Sequence, residues 1–203
     1  MTKPLVLASA SAGRQELLRR TRIPFMVDPS DCAEDTHATT LEDHVRMLAL
    51  RKATSVADRH PDAIVIGADT LAEIDGMAIG KPTSPEDART TLRLLSGRYH
   101  RLLTGLALVA SGTRTYSGLE VTRVHIRSLS DEEIDAYVAS EEPLGKSGCY
   151  EIQGLGATIV DRIEGDFSNV VGLPMAHLAR ALKAFGITIP GHTTIGVSNH
   201  ARI

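Results

Sequence analysis

The sequence predicts an α/β protein, and three observations carry that prediction. Ala63-Ile64-Val65-Ile66 is an apolar, largely β-branched run that leads through Gly67-Ala68 to one acid, Asp69, as a buried strand does when it delivers a positioned side chain. Leu5 to Ala8 is a second short apolar run, and it passes through the small-residue turn Ser9-Ala10-Ser11-Ala12-Gly13-Arg14 into the helical pattern Gln15 to Arg20. Extended runs and capped helical segments then alternate along the rest of the chain.

A strand that feeds a small-residue turn and a helix start makes a natural oxyanion site, because unpaired amides and hydroxyls point out of the turn. The next helix is expected to start near Thr40, with Asp43 in the capping-box position. Its inward stripe reads Leu41, Val45, Leu48 and Val56, and Lys52 falls on that stripe. A lysine there either snorkels past the helix edge or reaches into a cleft. The Asp69 strand is expected to stop at the acid, at the sheet edge. Asp75-Gly76 then marks a hairpin between Leu71–Ile74 and Met77–Ile79.

Ser84-Pro85-Glu86-Asp87 opens a helix with an N-cap serine and first-turn proline, buries Ala88, Leu92 and Leu95, and closes at Ser96-Gly97. Leu102–Val109 and Glu120–Ile126 read as strands, with Ser111-Gly112 as a turn between extended segments. Ser130-Asp131-Glu132-Glu133 is a full capping box for a helix expected to stop at Pro143. The stretch from Gly145 to Gly156 is dense in glycine and carries Lys146, Tyr150 and Gln153, a composition suited to close backbone approach to a ligand. Ala157–Ile163 reads as a strand, Glu164-Gly165-Asp166 as a turn, and Leu178, Leu182 and Phe185 line a last helix ending at Gly186. Residues 1–189 are therefore expected to form a single α/β domain with two lobes, followed by a polar, unpatterned tail over 190–203.

Composition narrows the function classes. The 203 residues carry 25 acids against 22 lysines and arginines, a formal net charge of -3 without long runs of one sign, so bulk charge gives no nucleic-acid footprint. Two cysteines, Cys32 and Cys149, do not suggest a disulfide framework and point to reduced thiols and a cytoplasmic home. The early apolar stretch is too short for a signal core, and no run approaches membrane-spanning length.

Four groups could carry chemistry: Ser9, Ser11 and Arg14; Glu34 in the acidic loop from Asp31 to Asp35; Asp69 with Thr70; and Lys81 together with Lys52 and Lys146. Hydroxyls, cations and acids together are what a metal-bound polyphosphate requires, with cations on phosphate oxygens and one or two carboxylates on a partly hydrated divalent ion. Each has a plainer reading. The serines suit helix capping, Glu34 a solvated loop, Asp69 a strand-end turn, and Arg14 and Lys81 an ordinary charged surface.

Six blocks in order resemble the Maf family of nucleoside triphosphate pyrophosphatases. They are Leu7 to Arg14, Gly67-Ala68-Asp69-Thr70, Gly80-Lys81-Pro82, Leu95-Ser96-Gly97-Arg98-Tyr99-His100, Gly148 to Gly154 and Asn169-Val170-Val171-Gly172-Leu173-Pro174. The resemblance implies an elongated mixed sheet with flanking helices and a central cleft between two lobes, as in the inosine triphosphate pyrophosphatase superfamily, and usually a homodimer. It further implies hydrolysis of a nucleoside triphosphate to monophosphate and pyrophosphate with a divalent metal, Mg²⁺, Mn²⁺ or Co²⁺. By position, Asp69 is the expected proton acceptor. Ser9, Arg14, Glu34, Lys52 and Lys81 fall on active-site positions, Lys52 and Lys81 as catalytic groups and Glu34 with Asp69 as metal ligands. Ser11 and Lys146 are expected to contact substrate, and Gly13, Thr70 and Gln153 to bear on base choice.

Ala68-Asp69-Thr70 and Ile152-Gln153-Gly154 resemble the branch acting on dTTP and UTP rather than on 7-methyl-GTP. The chain departs from the family at Gly13, where the turn often has an arginine, and at Gly145, Ser147, Cys149 and Glu151, where Asp, Ala, Ala and Gly are common. A different class of function, a nucleotide-binding regulator of cell division without turnover, is the alternative; loss of Asp69 or the lysines would favour it, and all are present. A phospho-aspartyl phosphatase would ordinarily want a second acid two residues after the nucleophile, where this chain has Leu71.

Overall fold

In the computed structural model, which describes residues 3–110 and 114–190, the apolar runs pair into one mixed sheet. Strands β1 (Leu5–Leu7), β2 (Phe25–Val27), β3 (Ile64–Ile74), β4 (Met77–Ile79), β5 (Tyr99–Ala110), β6 (Arg114–Ile126) and β7 (Val160–Glu164) alternate with helices α1 (Ala12–Arg19), α2 (Leu41–Ala57), α3 (Pro85–Leu95), α4 (Asp131–Ala139), α5 (Phe167–Val171) and α6 (Met175–Ala184). The order is β2-β1-β3-β5-β6-β7, with β4 added to β3. β1 runs parallel to β2 and β3, and the β3–β5–β6–β7 pairings are antiparallel. The expected Ser111-Gly112 turn and the tail after Pro190 lie outside the described residues.

The alternation of β3 side chains sorts the core. Val65 packs with Val6, Ala107 and the α2 residues Ala49, Ala53 and Val56 on one face. On the other face Ile66 and Ala68 join Leu106, Leu17 and Leu18 of α1 and Leu178 and Leu182 of α6. Further along that face, Ala72 and Ile74 join Leu92 and Leu95 of α3 and Ile134 and Val138 of α4. Thr70 stands between these two apolar clusters. Its hydroxyl lies 2.9 Å from that of the fully buried Thr104, its partner across the strands. This polar gap interrupts the apolar packing along one continuous sheet.

Helix α2 lies unusually close to the sheet because Gly67 and Gly105 present no side chain to it. A Cβ at Gly67 would stand 2.2 Å from the Ala49 carbonyl oxygen, and one at Gly105 would stand 2.0 Å from that of Val45. Thr40 caps α2 through the Asp43 amide, and Val45, Leu48 and Val56 point inward, while Leu41 is half-buried.

Several expectations are corrected. β3 does not stop at Asp69: Asp69, Thr70 and Leu71 stay in register with Gly105, Thr104 and Leu103, so the acid sits within a central strand and the run Leu71–Ile74 belongs to the same strand. A central strand accepts the charge because a cation from α2 meets it. Residues 155–158 form a 3₁₀ turn rather than the start of a strand, since the Leu155 and Gly156 amides turn to the Glu142 carboxylate; β7 begins at Val160. α4 ends at Ala139, before Pro143, where the Ser140 and Glu141 amides close the last turn on Tyr137 and Val138. α1 begins at Ala12, earlier than the helical pattern indicates. α5 follows the expected turn directly, started by the Asp166 carboxylate accepting from the Ser168 amide.

Candidate active site

The gap between the clusters opens into a cleft of about 750 Å³ lined by every residue singled out above: Ser9, Ser11, Gly13, Arg14, Glu34, Lys52, Asp69, Thr70, Lys81, Lys146 and Gln153. β3 supplies Asp69 and Thr70 on opposite faces of the strand. Asp69 faces α2, and Thr70 faces α1 and α5.

The centre is an ion triad. Lys52 Nζ donates to Asp69 Oδ1 at 2.7 Å and to Glu34 Oε1 at 2.6 Å, with the Lys52 and Asp69 side chains each 13 % exposed. The cleft reading of Lys52 therefore holds over the snorkelling one. Burial by itself would lower the Lys52 ammonium pKa; the Asp69 charge and the bonds to Asp69 and Glu34 outweigh it and raise it. Glu34 is lowered, chiefly by the Lys52 hydrogen bond, with Lys81 and Arg14 adding attraction from farther away. Its loop is pinned by Arg51, which donates to the carbonyls of Ala33 at 2.8 Å and Asp35 at 2.6 Å.

Arg14 acts as a rivet as well as a charge. Nε donates to the Gly172 carbonyl at 2.7 Å, one terminal nitrogen to the Ala68 carbonyl at 2.9 Å and Ser9 Oγ at 3.2 Å, and the other to Thr70 Oγ1 at 3.0 Å. This ties α1, β3 and the end of α5 together. Burial lowers the guanidinium pKa, against the pull of Asp69 and Glu34, but an arginine so placed remains a cation. Ser11 is the N-cap of α1 and accepts from the Arg14 amide, while Ser9 accepts from the Ser11 amide at 3.3 Å, so capping and cleft lining coexist in one turn. Gly13 opens onto Gln153: a Cβ there would stand 3.0 Å from Val171 Cγ1 and 3.7 Å from Gln153 Oε1.

Lys81 lies exposed on the rim, without an ion pair to the protein among the described residues. Lys146, by contrast, is bound to Glu151 at 2.6 Å, so the departure at Glu151 places a carboxylate on the one lysine of the glycine-rich loop. Sequence reasoning missed Arg51, Thr104, Ser147 and Gly172. Ser147 Oγ donates to the Thr70 carbonyl at 3.1 Å, and its position inside the glycine-rich stretch, like that of Gly172 inside the last ordered block, was a signal, whereas Arg51 and Thr104 had none.

Among the described residues no group of three or more His, Cys, Asp and Glu forms a metal cage. The donor set, two hard carboxylates in an open cleft with Lys81, unpaired among the described residues, on its rim, suits an ion that retains waters and shares phosphate oxygens rather than one enclosed by protein. Fold and site together define an α/β protein with a cleft that gathers cations and carboxylates around a part-buried acid.

The chain belongs to the Maf family: residues 4–185 match the family described as Maf-like protein. It is 44% identical over 188 residues to a dTTP/UTP pyrophosphatase of Bacillus cereus (strain B4264), covering 92% of this chain and 98% of that protein. It is 45% identical over 184 residues to a dTTP/UTP pyrophosphatase of Bacillus mycoides (strain KBAB4), covering 90% and 96%. Among solved structures, a HAM1 protein from Coxiella burnetii is similar with a TM-score of 0.49 at 16% identity, covering 91% of this chain and 100% of that one.

Proposed function

We propose that the protein hydrolyses dTTP and UTP to the nucleoside monophosphate and pyrophosphate, with Asp69 as proton acceptor. The observation that carries the reading is the Glu34–Lys52–Asp69 triad set in a cleft that also presents Arg14 and Lys81. The Bacillus relatives, named dTTP/UTP pyrophosphatases, support the substrate class.

Lys52 occupies Asp69 Oδ1, which leaves Oδ2 to align a water and accept its proton. The water oxygen bonds to the α-phosphorus as the bond from that phosphorus to the bridging oxygen breaks, and pyrophosphate leaves with the electron pair. Lys81, with the Arg14 charge behind it, faces the growing negative charge, and its freedom from a protein ion pair suits it to that task. A divalent cation brought in with the triphosphate would be held by Glu34 and Asp69 and would supply further charge neutralisation. Gly13, Thr70 and Gln153 shape the part of the cleft assigned to the base, and Ser9, Ser11 and Lys146 line the substrate path. The two cysteines, Cys32 and Cys149, are unpaired with each other, which supports a cytoplasmic protein; the family resemblance supports a homodimer.

Pyrophosphate release across dTTP, UTP, CTP and 7-methyl-GTP tests this reading. Turnover of dTTP and UTP above the other two is expected, and no release from any of them with Mg²⁺, Mn²⁺ or Co²⁺ would overturn it.

A further inference from the structure

Gln153 is exposed at the cleft, and among the described residues its side-chain amide has no hydrogen-bond partner in the protein. Its aim is therefore set by the backbone on either side of it. That backbone is held from behind by Tyr137 of α4 and by Glu142, three residues beyond the end of that helix, neither of which lines the cleft. Glu142 Oε1 accepts from the Gly156 amide at 2.7 Å and from the Tyr137 hydroxyl at 2.8 Å, and Oε2 accepts from the Leu155 amide at 2.9 Å. The Tyr137 oxygen in turn accepts from the Glu151 amide at 3.1 Å. The carboxylate also lies flat against the residue after Gln153, since a Cβ at Gly154 would stand 2.2 Å from Glu142 Oε2.

We propose that Glu142, working with Tyr137, is a positioning residue for nucleotide selection: it brackets residues 151 to 156 and so fixes where Gln153 presents its amide to the base. The inference rests on the reading of the cleft as a nucleoside triphosphate site. Burial would raise the Glu142 carboxyl; the Leu155 amide, the Tyr137 hydroxyl and the Gly156 amide outweigh it and hold it below the usual range, so the bracket keeps its charge at neutral pH. One carboxylate satisfying two adjacent amides and a hydroxyl has no neutral substitute. An amide in its place must turn an N–H donor toward one of the three donors it now receives.

The test uses the full chain and reads equilibrium binding of dTTP, UTP, CTP and 7-methyl-GTP by calorimetry without added metal, beside kcat and KM with metal. Glu142→Gln, and more mildly Tyr137→Phe, should reduce the preference between the tightest and weakest of these nucleotides by about tenfold, with kcat on the preferred one changed by less than about threefold. Combined with Gln153→Ala, Glu142→Gln should shift the preference no further than Gln153→Ala alone. A uniform loss of affinity for all four nucleotides with their ratios unchanged, or a shift in ratio that persists at full size without Gln153, would overturn the proposal. So would a wild-type protein that binds all four equally. Selective binding without pyrophosphate release would instead overturn the hydrolytic reading and leave this one standing. Should Glu142→Gln fail to fold, Tyr137→Phe, which removes one oxygen, decides the same question by the same ratios.

Discussion

In one part of the cleft Asp69, Lys52 and Arg14 sit on β3, α2 and α1, with Lys52 ion-paired to Asp69 and Arg14 hydrogen-bonded to Thr70 beside it, whereas in another part Lys146 and Gln153 ride on a loop fixed from behind by Glu142, Tyr137 and His100. The first part has its geometry written into strand register and helix packing. The second depends on a few polar contacts from outside the site. Groups that must meet a reacting phosphate need tight placement, and regular elements give it. A loop can change its contacts without disturbing the sheet, which suits a surface that discriminates among bases.

The largest effect is expected at the centre of the rigid part. Asp69→Asn should lower pyrophosphate release from dTTP by about 10²–10⁴-fold at saturating metal, the range of a lost general base; turnover near wild type would remove Asp69 from that role. A second break strikes the same part without touching a charged residue. Gly105→Ala puts a methyl group against the Val45 carbonyl, where 2.0 Å is available, and must push α2 off the sheet. Displacing Lys52 from Asp69 by even about 1 Å should cost on the order of 10²-fold in kcat, with about 1–3 kcal/mol of stability lost in urea unfolding.

The loop part should reveal itself by its response to acid. Tyr150 of the loop is hydrogen-bonded at 3.1 Å to His100, whose pKa burial pushes down to about 4, against the opposing pull of Glu73. In the unfolded chain the same imidazole titrates near about 6.5. Between these values the unfolded chain binds a proton that the folded chain refuses, so stability falls as pH falls from about 6.5 toward about 4, by up to about 3 kcal/mol. Urea midpoints taken from about pH 7 to about pH 5 should show this slope in the wild type and lose it in His100→Gln. Parallel curves for the two proteins would assign the acid sensitivity elsewhere.

How much was legible in the sequence follows the same division. Capping signals placed the starts of α2, α3 and α4, and helical periodicity put Lys52 on the buried stripe, because both are local and repeat along the chain. Spacing alone did not decide which charges gather; the family resemblance named the candidate positions, and those residues line one cleft. β3 was misread because Gly67-Ala68-Asp69-Thr70 has the composition of a turn, and its continuation depends on pairing with β5, a contact invisible to local pattern. Arg14 finds a carbonyl 158 residues away, and Glu142 finds its amides on the far side of the glycine-rich block. Such partners follow from topology, so no local rule could have supplied them.

The missing side chains at Gly67 and Gly105 also bear on stiffness. Where most helices rest on a sheet through side chains that can exchange rotamers, α2 at these two points meets the strands with its own carbonyls. Backbone against backbone has no soft joint to yield, so fluctuations that loosen an ordinary helix–sheet interface have less to act on here. The lysine and the acid are carried by two surfaces that move as one piece, and the distance between them is kept by rigidity rather than by the strength of their attraction.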